Sequence, residues 1–188
     1  MAKSEVMIPF LKRWEGGFVN DPDDKGGATM MGVTIGTYTT WCARVGRPAP
    51  TVGDLRLITD ADWHAIFKTM YWDRWKADSI NDQSVANILV DWVWASGSYG
   101  ITIPQRLIEV DADGIVGTKT LMALNSYPDG QTRLFGKIKD ARRKYINDIC
   151  DKTPTNSKFR MGWMNRVNDI LYNDTRCDNV VHYFRSMQ

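Results

Sequence analysis

One feature limits the fold more than any other: a helical hydrophobic period that runs along the chain and lapses once. Apolar residues recur at three- and four-residue spacing before residue 16 and after residue 36, but not between. The opening stretch puts Ile8, Leu11 and Glu15 on one helical face, with Ser4 as a candidate cap and Pro9 as an expected kink. Tyr38, Trp41, Cys42 and Val45 repeat at the same spacing until Gly46 and Pro48 stop them. Thr59 followed by Asp62 reads as a capping box ahead of Trp63, Ile66, Phe67 and Met70. Ser84 stands where it would cap the most apolar segment, in which Val85, Ile88, Leu89, Trp92 and Val93 share a face, so that segment is predicted to be the central helix. Thr102 with Gln105 resembles a further capping box, and two longer amphipathic helices are expected around 134–149 and 159–171. The pattern predicts a mainly α protein with a small β-hairpin or irregular loop near residues 17–36.

The lapse begins with EGGFVNDPDDKGGAT, residues 15–29. Glycines and Pro22 let a chain turn sharply, and core packing asks for none of the aspartates. A glutamate at a helix end, beside Leu11 and Trp14, is half buried by its neighbours. Burial disfavours the charged form of a carboxyl, which is how such a group becomes a general acid near neutral pH. The following loop offers Asp21, Asp23 and Asp24, with Asn20 and Thr29 as hydrogen-bonding groups. Glycoside hydrolysis needs that asymmetry: one protonated acid, and a second group that is charged or holds a water across the scissile bond. On chemistry alone, a Glu…Asp pair is more often a helix end followed by turn formers.

Composition narrows the classes. Twenty-four basic residues against 22 acidic give a net charge of +2, which leaves no electrostatic footprint for nucleic acid. Eight tryptophans imply either a bulky core or a cleft that stacks flat ring faces such as those of sugars. Cys42, Cys150 and Cys177 are odd in number and widely spaced, so free thiols made in a reducing compartment are expected. The first residues, MAKSEVMIPFLKRWEGG, show no apolar leader and no cleavage site, and no stretch of 18 apolar residues occurs. A chain made in the cytoplasm without a signal peptide, and without stable membrane insertion, is therefore expected. The segment DADG at 111–114 fails as a calcium loop, because its sixth position is Val116 and its twelfth is Met122. It reads as a turn, with Thr118 as N-cap of the next helix. No metal or organic cofactor is implied. Tyr71, Trp72 and Trp75, at the end of a helix, are candidates for a sugar cleft, with core packing of at least one of them the commoner outcome.

EGGFVNDPDDKGGATMMGVT (15–34) resembles the signature of glycoside hydrolase family 108, the lysozyme-like N-acetylmuramidases of phage lysis cassettes and bacterial secretion activators. The resemblance continues through TVGDLRLITDADWHAIFKTMYWDRW (51–75) and DWVWASG (91–97). DADGIVGTKTLMALN and KFRMGWMNRV are similar to the peptidoglycan-binding segment that usually follows in that family. It implies a lysozyme-like catalytic region over residues 1–100 and a helical peptidoglycan-binding region over 101–188, packed into one globule. It also implies a cut of the β-1,4 bond between N-acetylmuramic acid and N-acetylglucosamine, with Glu15 as the catalytic acid. Related phage-type lysozymes carry an aspartate nine residues after the glutamate, which falls on Asp24, and a hydroxyl residue nearest to Thr29.

Two positions depart from the family pattern. Thr29-Met30-Met31-Gly32 stands where family members commonly have Thr-Asn before an aromatic-Gly segment, and Ala95-Ser96-Gly97 replaces Asn-Ser-Gly. Asn20, Thr29, Ser96 and Trp72 are the expected substrate contacts. Peptidoglycan glycan strands are the expected partner of a monomer that reaches the wall after lysis or through a holin-like pore. A non-catalytic wall-binding or secretion-accessory module, and a lytic transglycosylase, are the competing readings.

Overall fold

The computed structural model describes residues 1–20 and 27–177. Nine α-helices occur among them, with one two-stranded antiparallel hairpin, so the helical period of the sequence is expressed almost throughout. Helix α1 (Ser4–Trp14) buries Met7, Ile8, Phe10 and Leu11 and continues through Pro9. Ser4 is itself buried in the first turn and does not cap it; Lys3 is the N-cap residue, and its N–H bonds Gln83 Oε1 at 2.8 Å. The helix ends because Glu15, whose N–H closes the last turn on Leu11 O at 2.9 Å, turns extended ahead of two glycines.

After the break, Val19 and Thr29 exchange both backbone hydrogen bonds at 2.8 Å, and β1 (Thr29–Met30) then pairs β2 (Val33–Thr34). Two residues join these strands, Met31 at φ 45° and Gly32 at φ 76°. Both lie in the left-handed region, as a tight hairpin turn of matching twist requires. Helices α2 (Ile35–Arg44), α3 (Val52–Arg56) and α4 (Asp60–Phe67) follow; Thr34, Thr51 and Thr59 each accept a backbone N–H at their N-termini. Helix α4 runs on into a π-helical turn, Lys68–Trp72.

Helix α5 (Gln83–Ser96) is the central element, with Val85, Ile88, Leu89, Trp92 and Val93 fully buried. Its cap is Asp82 rather than Ser84: Asp82 Oδ1 accepts the Val85 N–H at 2.9 Å, while Ser84 lies inside the helix and accepts the Asn173 N–H. Gly97 ends it, and α6 (Tyr99–Leu107) packs closely because Gly100 has no side chain; a Cβ there would stand 2.5 Å from Val93 N. The chain is thus already helical at Thr102, so Thr102 and Gln105 form no capping box. Gln105 is buried instead and secures the following turn, accepting Gly114 N–H at 2.9 Å and donating to Asp113 Oδ1 at 3.1 Å. Helix α7 (Thr118–Asn125) has Gly117 as its N-cap, one residue before the expected Thr118. Helices α8 (Gln131–Lys152) and α9 (Arg160–Asp169) complete the described elements. Leu124, Leu134, Phe135, Ile138 and Ile170 from this second half share one core with Met7, Leu11, Trp63 and Trp92 from the first. Among the described residues, no helix is long and apolar enough to cross a membrane.

Candidate active site

Glu15 stands where four parts of the chain meet: the end of α1, the hairpin turn and helices α5 and α9. Its side chain is 14% exposed. One oxygen, Oε1, accepts two hydrogen bonds, from Trp94 Nε1 at 2.7 Å and from Arg166 Nη1 at 2.7 Å. The other, Oε2, faces the hairpin: a Cβ built on Gly32 would stand 2.5 Å from it and 2.5 Å from Trp94 Cζ2. Only glycine fits there, both for the φ of 76° and for the closeness of approach. Trp63 fixes the turn in place by donating its Nε1–H to Met31 O at 2.9 Å.

An aromatic wall supports this corner. The Trp94 ring lies 4.5 Å from Tyr71, 5.8 Å from Trp63 and 6.0 Å from Phe67, centroid to centroid. The π-helical turn after α4 re-aims the side chains within it. Tyr71 is thereby brought to Trp94, with its hydroxyl 3.5 Å from Thr37 Oγ1. Burial pushes the Tyr71 hydroxyl above its ordinary pKa, so it stays a neutral phenol.

Behind Glu15 runs a chain of opposite charges. Asp91 is fully buried on α5, three residues before Trp94 and so on the same helical face. Its carboxylate accepts Arg166 Nη2 at 2.8 Å and lies 2.7 Å from Arg142 Nη1. Burial alone would raise the Asp91 pKa; the two guanidinium groups outweigh it and hold the carboxyl below the ordinary range. Arg166 is correspondingly fixed as a cation, because Asp91 and Glu15 outweigh the cost of its burial. Helices α1, α5, α8 and α9 are therefore joined by one buried network, Glu15–Arg166–Asp91–Arg142.

The expected site residues fall in different places. Asn20 is exposed at the edge of the described chain, and Thr29 is half buried in β1, its backbone bonded to Val19. Ser96 ends α5 and, with Arg142, Tyr145, Trp163 and Arg166, lines a cavity of about 170 Å³ whose lining does not include Glu15 or Asp91. Trp72 does not line a groove: it is fully buried and donates to Asp78 Oδ1 at 2.7 Å, and Trp75 is buried likewise. Core packing won because the π-helical turn directs Tyr71, and not Trp72, toward Trp94. Asp24 lies outside the described residues, as do Asp21 and Asp23. Trp94, Arg166, Asp91 and Gly32 escaped the sequence reading. The one signal was a lone aspartate at position 91 in the most apolar helix, a charge with no place there unless paired.

Residues 8–97 match the family model Glycosyl hydrolase 108, and residues 99–168 match the model Predicted Peptidoglycan domain. The solved structure of Brucella abortus SagA is similar with a TM-score of 0.73 at 28% identity, over 89% of this chain and 90% of that one. No curated protein matches the chain. The mainly α, lysozyme-like fold agrees with that likeness, and the two models meet at the turn between α5 and α6. The chain thus matches the glycosyl hydrolase 108 family model over its first half and the predicted peptidoglycan domain model over its second.

Proposed function

We propose that the protein is an N-acetylmuramidase that hydrolyses the β-1,4 bond between N-acetylmuramic acid and N-acetylglucosamine in peptidoglycan. The observation that carries this reading is the setting of Glu15: a nearly buried carboxyl with one oxygen anchored by two donors and the other aimed along a glycine-lined turn. In the reaction Glu15 gives a proton to the glycosidic oxygen as the bond to the sugar's anomeric carbon breaks. The sugar left behind carries oxocarbenium charge, which Asp24, nine residues on in the sequence, stabilises directly or through a positioned water. The family and the peptidoglycan domain supply the substrate class. On the same reading the protein acts as a monomer and meets the wall after lysis or passage through a holin-like pore.

A second reading, a wall-binding module without catalysis, draws on the Met30 and Ala95 departures and on the ion pair between Glu15 and Arg166. Mass spectrometry of purified sacculi treated with the protein separates the possibilities. Muramidase action yields fragments with a reducing muramic acid; transglycosylation yields an anhydro end lighter by one water. No released fragment at any enzyme concentration would favour the binding module.

A further inference from the structure

The buried charge network has a role in the site itself, resting on the reading of Glu15 as the acid. We propose that Arg166, a residue of the peptidoglycan domain, is a positioning residue for Glu15, so that the catalytic site is incomplete without the second half of the chain. Arg166 and Trp94 both donate to the same oxygen, Oε1, each at 2.7 Å. Among the described residues, no hydrogen-bond donor engages Oε2. Two donors on one oxygen fix the carboxyl's rotation and leave Oε2 as the atom that carries the proton and delivers it.

Arg166 is able to do this because it is itself held. Asp91 takes its Nε and Nη2, leaving the Nη1 arm of the planar fork directed at Glu15. Arg142 supplies the second positive charge that lets Asp91 stay ionised with no exposed surface. A lysine in place of Arg166 has a single ammonium on a flexible stem and cannot hold the same two-sided geometry. The residues that face Glu15 from the packed elements are thus Trp94 and, behind it, Tyr71; Arg166 from α9; and the Gly32 turn. Among the described residues, only Arg166 of these comes from beyond residue 98, and by this contact the peptidoglycan domain is a part of the catalytic site.

The test uses the full chain with wild type, Glu15→Gln, Arg166→Met and Arg166→Lys, measuring rate against concentration of purified sacculi, co-sedimentation with walls, and the Trp94 indole N–H resonance, assigned with Trp94→Phe. Arg166→Met is expected to lower the maximal rate about 100-fold, the size of effect that a misplacement near 1 Å produces. Its half-saturating wall concentration and its sedimentation should stay within about twofold of wild type, since uniform binding is untouched. The Trp94 resonance should move, because its acceptor is no longer fixed. Arg166→Lys should fall between, about tenfold below wild type, by the same positioning argument. A maximal rate within about twofold of wild type in Arg166→Met, or a loss that tracks wall affinity, overturns the proposal. Should Arg166→Met fail to fold, Arg166→Lys decides: a wild-type rate with an unmoved Trp94 resonance overturns it. If wild type itself releases no fragment, the muramidase reading fails, while the Trp94 resonance still reports whether Arg166 fixes Glu15.

Discussion

Gly32→Ala separates the two demands that the hairpin turn places on its glycine. The first is conformational: at φ 76° an alanine sits in the left-handed region, at a cost of roughly 1–2 kcal/mol. Reduced freedom of the unfolded chain returns about 0.4–1 kcal/mol, so the net loss is about 1 kcal/mol, or a fall in melting temperature of about 2–4 °C for a chain this size. The second demand is space. The new methyl would stand 2.5 Å from Glu15 Oε2 and from Trp94 Cζ2, against an ordinary contact of at least 3.4 Å, so one of them yields by about 0.9 Å. If Glu15 is the acid, a displacement of that order is worth about 100-fold in rate. Gly46→Ala is the control, with φ 72° and no heavy atom within 4 Å of its Cβ, so it carries the strain without the clash. Thermal melting and fragment release from sacculi are measured on both. The expected result is a similar small loss of stability in each, with activity lost only in Gly32→Ala. Equal activity in the two variants would refute the placement of Oε2 beneath the turn.

Three further outcomes follow from the same geometry. Asp91→Asn leaves Arg142 and Arg166 without their shared carboxylate and should destabilise the fold by about 3–5 kcal/mol in denaturant unfolding; a loss below about 1 kcal/mol would mean the network is solvated. Trp72→Ala should cost about 3–5 kcal/mol of stability, whereas Trp72→Phe should keep wall affinity; lost wall affinity with unchanged stability would return Trp72 to the groove. Asp169 accepts from Arg176, Trp14 Nε1 and Arg13; although its burial acts the other way, these donors hold its pKa at about 2. A depressed folded-state value adds stability above the unfolded value near 4, and that stability is lost as pH falls from about 4 to about 2. Asp169→Asn should flatten the stability curve in that window, and an unchanged curve would assign the acid sensitivity elsewhere.

The sequence made the helices legible because each apolar stripe had to face one core, and the break after Trp14 was legible because glycine and proline deny a helix, although α2 already begins at Ile35 and takes in Gly36. Caps were less so. Ser84 and Thr102 have the right chemistry, but Asp82 and the Gly97 turn started their helices earlier, and tertiary contacts gave Ser84 and Gln105 other partners. Glu15 was visible because a charge ended an apolar face. Its partners were not, since Trp94 and Arg166 lie 79 and 151 residues away and only folding brings them together. Tyr71 and Trp72 are adjacent and equally aromatic; a π-helical turn, which no spacing rule announces, sent one to Trp94 and the other into the core.

On the proposed reading, Glu15 supplies the proton that breaks the glycan strand. Glu15→Gln tests it most directly, because the amide keeps the size of the side chain and cannot act as the acid. Reducing ends released from purified sacculi and wall co-sedimentation are measured side by side with wild type. Release by Glu15→Gln is expected to fall to background while sedimentation is unchanged. Release at the wild-type rate from a folded Glu15→Gln protein would contradict it.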